Sequence, residues 1–179
     1  DKLFVQGNFY AGKRDTRFAV VRYGNVVGSR GSVVPFFQSR AGDGVLPITD
    51  ARMTRFWITL QQGVDFVLSS LDLMRGGEVF VPKIPSMRVT DLATAIAPDA
   101  RQDIVGIRPG EKLHEEMISI DDARRTIDIG DRYVIQPEFG WWGNEHLSGD
   151  AMPEGFAYTS DTNDAWLDVD GIRDLLTHV

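Results

Sequence analysis

Hydrophobic and polar positions follow two rhythms along this chain: short unbroken apolar runs, and longer stretches with a helical repeat. Residues 2–9 set Leu3, Phe4 and Phe9 on an apolar side and read as the tail of a helix. The β-branched and aromatic run over 17–23 predicts a buried strand, reached through a loop at Gly12 to Asp15. A loop over 24–31 follows. Ser32 is then the expected N-cap of a helix over 33–40, which Gly42 and Gly44 end. Residues 45–49 form a short strand whose Pro47 suits an edge. The clearest helix covers 59–74, with Leu60, Val64, Val67, Leu68 and Leu71 on one face and Gly76 and Gly77 closing it. Strands are expected over 78–82, 103–107 and 132–136, and helices over 90–96 and 170–178. Another helix is expected from Glu111 to Ile118, after the Pro109-Gly110 turn. Strands alternating with helices give an α/β class. They are few and short, as expected of part of a larger α/β protein.

Composition narrows this picture. At 179 residues, 42% hydrophobic and 25% charged, the chain has enough apolar material for an ordinary globular core. Its net charge of −7 argues against nucleic acid or an anionic membrane as the main partner. With no cysteine, disulfides, thiolate zinc sites and cysteine nucleophiles are excluded, which fits a reducing compartment. No apolar run approaches a membrane span. The chain opens on Asp1, so a native start upstream is expected.

The candidate chemistry lies in three places. Arg55 and Arg108, permanent cations in an aromatic and a Pro-Gly setting, suit a bidentate grip on a diphosphate. Glu111 follows the second cation by three residues and suits the hydroxyls of a sugar or ribose; a local ion pair with Arg108 is the plainer alternative. Asn25 follows a strand end, where open α/β sheets bind ligands, although an Asx turn would use the same residue. The Gly28-Ser29-Arg30-Gly31-Ser32 turn leads into a helix and either cradles a phosphate or serves only the chain path. Arg52 reads equally as a ligand contact or as a surface arginine covering the core. His114 with Glu115 and Glu116 does not make a zinc-protease motif, and His114, His146 and His178 are too scattered for a metal cluster. Trp141-Trp142 reads as a packing pair before a stacking platform. The chain contains neither a G-x-G-x-x-G fingerprint nor a Gly-x-Ser-x-Gly elbow.

Together these motifs resemble the extended short-chain dehydrogenase/reductase family, and within it the inverting UDP-N-acetylglucosamine 4,6-dehydratases of the pseudaminic acid pathway. The resemblance runs the length of the chain. It is carried by Arg22-Tyr23-Gly24-Asn25-Val26-Val27-Gly28, Leu46-Pro47-Ile48-Thr49-Asp50, Arg52-Met53-Thr54-Arg55-Phe56-Trp57, Val81-Pro82-Lys83 and Arg108-Pro109-Gly110-Glu111-Lys112-Leu113-His114-Glu115. It implies that Asn25 holds the diphosphate or sugar, that Arg55 and Arg108 bind the diphosphate, and that Glu111 holds the uridine ribose. Val34 and the segment from Leu46 to Ile48 would line the uracil pocket. Tyr23 and Gly24 would approach the nicotinamide end of NADP.

The same resemblance implies a domain organisation. The chain would be the C-terminal, substrate-binding portion of an extended Rossmann-type enzyme, spanning 1–179 with a short remnant of the Rossmann sheet over about 1–31. The family's glycine-rich cofactor turn, Thr-Asp-Lys loop and Tyr-x-x-x-Lys pair would all precede Asp1, leaving the chain inactive alone. The implied partners are a UDP-sugar and further copies of the chain, in the cytoplasm. A UDP-sugar epimerase, a C5-retaining dehydratase and a non-catalytic nucleotide-sugar-binding module remain open. The strand over 17–23 would be left with an uncovered apolar edge.

Overall fold

The structure is a computed structural model and describes residues 1–11, 14–29, 31–138 and 146–177. The Gly12-Lys13 part of the first loop, Arg30, the Trp141-Trp142 pair and His178 lie outside the described residues. In chain order the elements are α1 (Lys2–Ala11), β1 (Val20–Val21), β2 (Asn25–Val26), α2 (Val33–Arg40), β3 (Val45–Ile48), β4 (Thr54–Ile58) and α3 (Leu60–Leu73). They continue with β5 (Val79–Pro82), β6 (Ser86–Arg88), α4 (Val89–Ile96), β7 (Arg101–Ile104), β8 (Glu116–Ile118) and α5 (Ile120–Ala123). The last are β9 (Thr126–Asp128), β10 (Arg132–Ile135), β11 (Asp150–Ala151), β12 (Tyr158–Thr159) and α6 (Val169–Leu176). The chain divides into two compact units.

The first unit comprises residues 1–23, 64–83 and 117–158. Its sheet runs β1-β5-β10-β9-β11, with β1 parallel to β5 and the remaining pairs antiparallel. The all-apolar run of β5 is buried on every residue, as a strand covered on both faces must be. Phe66, Phe80 and Val134 form the core. Arg132 enters it with only 6% of its side chain exposed. It bonds Ser70 at 3.0 Å and Asp131 at 2.6 Å, and lies 4.5 Å over the Phe66 ring, so the buried charge is paired. Arg22, at the carboxyl end of β1, is held by Asp1 at 2.6 Å and by the Met117 carbonyl at 2.6 Å. A pocket of about 480 Å³ in this unit is lined by Val5, Phe9, Arg22, Asp122 and Arg125 among others, and includes none of the residues singled out for substrate.

The second unit comprises 24–63, 84–116 and 159–179. Here β2 lies parallel to β4, β4 antiparallel to β6, and β3 parallel to β7. Val34, Phe37, Leu46, Ile48, Trp57 and Leu92 belong to one apolar cluster onto which α6 packs Ile172. The helix over 33–40 forms as its pattern predicts. Ser32 occupies the N-cap but its hydroxyl makes no capping bond. At α3 Thr59 and Gln62 bond each other's backbone N–H groups reciprocally, at 3.1 and 2.9 Å, which satisfies two otherwise orphaned donors.

Four elements differ from the sequence pattern. The buried strand expected over 17–23 is reduced to Val20–Val21, both only half-buried, and the strand expected over 103–107 forms at Arg101–Ile104. The expected helix over 111–118 is a turn followed by β8, because the backbone groups of Lys112, Leu113 and Glu115 are bonded elsewhere, as described below. A short helix nucleates at too high an entropic cost to compete with those bonds. On α3 the stripe Leu60, Val64, Val67, Leu68 and Leu71 is the exposed face, from 36% at Val67 to 68% at Leu60, while Phe66 and Ser70 are buried. The period was read correctly, but it marks a face that the described residues leave open.

Candidate nucleotide-sugar site

The second unit gathers most of the residues that the sequence singles out. β4 alternates Thr54, Phe56 and Ile58 on one side with Arg55 and Trp57 on the other, and only Arg55 is not fully buried. The Arg55 guanidinium spends its donors on the backbone. Nη1 donates to the carbonyls of Thr54 at 2.6 Å and Leu113 at 3.0 Å, and Nη2 to that of Lys112 at 2.9 Å. Its Nε stands 3.8 Å from Glu115 Oε1. Arg55 therefore ties the end of the 108–113 turn to β4, and the Thr54 N–H bond to the Leu113 carbonyl, at 3.2 Å, reinforces the tie.

Arg108 contrasts with it. It lies on an exposed turn in which Glu111 Oε2 accepts from the Arg108 N–H at 3.0 Å and the Glu111 N–H donates back to the Arg108 carbonyl at 3.1 Å. Gly110, at φ +86°, supplies the left-handed residue that this turn requires. Among the described residues no hydrogen bond engages the Arg108 guanidinium. Of the two cations, Arg108 has its fork free for an anion and Arg55 has its fork in use.

Asn25 stands at the first position of β2, exposed, and donates from Nδ2 to Glu115 Oε1 at 3.0 Å. Glu115 thus brings Asn25 and Arg55 together. Val34, Leu46 and Ile48 lie inside the core, at 2%, 0% and 0% exposed, so their side chains present no surface in this arrangement. Tyr23 belongs to the first unit and is half-exposed. Gly24 passes so close to β4 that a Cβ on it would meet the Phe56 Cβ and carbonyl oxygen at 2.5 Å.

Sequence reasoning missed the network behind these residues. Thr54 Oγ1 bonds His114 Nδ1 at 2.8 Å and Ser160 Oγ at 2.7 Å, and Ser160 Oγ accepts the Glu115 N–H at 2.9 Å. Thr54 and Ser160 are buried. The available signal was Thr54 itself, a hydroxyl in the strand register of Phe56 and Ile58, which must find partners once buried. Ser160 carried no signal, being 106 residues away.

The carboxylates at the edge of this region are held ionised. A side-chain hydrogen bond from Arg52 pulls Asp50 down to about 2, and one from Thr159 lowers Asp161. Depressed carboxylates contribute stability above their unfolded value and lose it as pH falls through the folded one. An NMR titration of the Asp50 carboxyl carbon is therefore expected to give a midpoint near 2, with the associated loss of stability between the ordinary 3.8 and that value. Arg52→Gln should move the midpoint back up.

Over residues 1–137 the chain matches the family described as polysaccharide biosynthesis protein. The chain belongs to that family. The chain is 50% identical, over 99% of its own length, to the UDP-N-acetylglucosamine 4,6-dehydratase (inverting) of Campylobacter jejuni, of which it covers 56%. It is 37% identical to the UDP-glucose 4-epimerase of Rickettsia canadensis, over 75% of this chain and 41% of that one. Its mixed α/β fold matches the X-ray structure of Pen from Bacillus thuringiensis with a TM-score of 0.85 at 27% identity, covering 99% of this chain and 53% of that one. The chain spans about half the length of the curated relatives it matches.

Proposed function

We propose that this chain is the substrate-binding portion of a C5-inverting UDP-N-acetylglucosamine 4,6-dehydratase serving nucleotide-sugar and pseudaminic acid biosynthesis. The observation that carries the reading is the 50% identity to the Campylobacter jejuni dehydratase across nearly the whole chain. In it Arg108 grips the diphosphate, Glu111 meets the ribose, and Asn25 meets the diphosphate or sugar. The free Arg108 fork on a turn capped by Glu111 supports these roles. Arg55 acts on the diphosphate by fixing that turn, since both its Nη groups are engaged. Val34 and 46–48 stand behind the base. The cysteine-free composition supports a cytoplasmic setting, and the exposed α3 stripe supports a homo-oligomer.

NADP is the cofactor of this reading, and when bound it supplies the acceptor and donor of hydride. Toward it this chain offers the exposed ring of Tyr23, whereas Gly24 is shaped by Phe56. The 179 residues contain no Tyr-x-x-x-Lys and no Thr-Asp-Lys, so the chain alone is proposed to bind without turnover.

The test is a thermal melt with UDP-N-acetylglucosamine, UDP and a GDP-sugar. Ligand at about 100 times its Kd stabilises by about 2.7 kcal/mol, about 5–10 °C for a chain of this size. A rise with both UDP ligands and none with the GDP-sugar is expected. Equal shifts with all three, or none, overturn the reading. The 37% identity to a UDP-glucose 4-epimerase favours a second reading in the same substrate class. A larger shift with UDP-glucose than with UDP-N-acetylglucosamine would select it.

A further inference from the structure

Glu115 is fastened to three separate segments of the second unit. Its Oε1 accepts from Asn25 Nδ2 at 3.0 Å and its Oε2 from the Phe56 N–H at 3.0 Å. Its backbone N–H donates to Ser160 Oγ at 2.9 Å, and its carbonyl accepts the Ser160 N–H at 2.8 Å. The Arg55 Nε, 3.8 Å from Oε1, adds a positive charge on the same side. A side chain held this way is not free to follow a ligand. It is a fixed reference point.

What that point fixes follows from donor and acceptor chemistry. An ionised carboxylate only accepts, so the NH2 end of the Asn25 amide must face Glu115. One Nδ2 hydrogen is used there, and the second hydrogen and Oδ1 remain for other partners. A neutral amide at position 115 would remove this constraint, because it can also donate to Oδ1 and let Asn25 turn over. The charge on Glu115 thus selects the face that the exposed Asn25 shows.

The buried hydroxyls behind Glu115 hold it in turn. Ser160 Oγ accepts the Glu115 N–H at 2.9 Å and shares a hydrogen bond with Thr54 Oγ1 at 2.7 Å, which shares another with His114 Nδ1 at 2.8 Å.

We propose that Glu115 is a positioning residue of the site: its carboxylate sets the orientation of the Asn25 amide toward the diphosphate of a nucleotide-sugar ligand. The proposal rests on the UDP-sugar reading of the site and adds a residue to it that makes no ligand contact itself. The test is a double-mutant cycle, with UDP affinity measured by calorimetry for the wild type, Glu115→Gln, Asn25→Ala and the double variant, and melts confirming that each folds. Glu115→Gln is expected to weaken UDP binding about tenfold, the value of one charge-assisted hydrogen bond. The double variant should bind no more weakly than Asn25→Ala alone, because the first change acts through the second residue. Additive losses, or an unchanged affinity in Glu115→Gln, overturn the proposal.

A second readout needs neither a variant nor a ligand. In the wild type one of the two Asn25 side-chain amide protons, the one donated to Glu115, should exchange with water more slowly than the other by NMR. Equally fast exchange of both protons overturns the proposal even if Glu115→Gln fails to fold. If UDP does not bind the wild type, the substrate reading falls, and the Asn25 resonances still decide whether Glu115 positions the amide.

Discussion

Gly24→Ala is expected to destabilise the second unit by about 3 kcal/mol, at the upper end of what overpacking a filled site costs. The added methyl would stand 2.5 Å from both the Cβ and the carbonyl oxygen of Phe56, and 2.7 Å from its carbonyl carbon. Two of these three atoms are backbone, in a strand that pairs with β2 on one side and β6 on the other, so neither can shift cheaply. Phe56 is itself fully buried, which blocks relief through its ring. The melting temperature should fall by about 10 °C, given the few degrees per kcal/mol usual at this chain length. Gly42→Ala is the control: a Cβ there meets nothing within 4 Å, and its melt should be unchanged or slightly raised. If the two alanines behave alike, the close approach of Gly24 to β4 is wrong.

The second large effect separates the two arginines. Arg55→Ala strands the carbonyls of Thr54 and Lys112, takes one of two donors from that of Leu113, and leaves Glu115 without its nearest cation. Because Arg55 is only 18% exposed, water cannot fully replace it, and the loss should be on the order of 3 kcal/mol. Arg55→Lys should recover little, since one ammonium cannot span carbonyls on two segments. Arg108→Ala should leave stability within about 0.5 kcal/mol of the wild type, as surface substitutions do. It should nevertheless weaken UDP binding about ten- to hundredfold, the value of charge-assisted bonds to phosphate. Chemical denaturation and calorimetry on the same samples read the two quantities. A stable Arg55→Ala, or a destabilised Arg108→Ala, would reverse the division of labour.

Much of the fold was legible wherever the local signal and the final contacts agree. The helix over 33–40 has a polar residue before it and glycines after it, and forms at those bounds. The strand at 45–48 and the helix at 60–73 likewise follow their patterns. Legibility failed where distant partners decide. Arg55 gave the 54–58 run no strand signature, because an arginine on a nearly buried face is tolerable only once carbonyls from 112–113 arrive to accept its protons. The segment after Glu111 has a helical composition and becomes a turn and a strand, because Ser160 takes both backbone groups of Glu115. At the candidate site Asn25, Arg55, Arg108 and Glu111 were visible as residue types in a suggestive setting. Glu115 was visible as the end of the Arg108-to-Glu115 motif and as part of a failed zinc motif, but not as a site residue, since what distinguishes it is the set of segments it joins.

The carbonyl-bound fork of Arg55 bears on how relatives of this chain are read. An arginine held by carbonyls answers to the fold first, so evolution can retain it whatever the relatives bind. A descendant that has become a scaffold or a regulator would still spell Thr-Arg-Phe-Trp. Position 108, whose guanidinium makes no hydrogen bond among the described residues, is free to drift in such a descendant. Retention at 55 with loss at 108 would mark a lineage that has kept the architecture and, on the proposed function, given up the nucleotide-sugar.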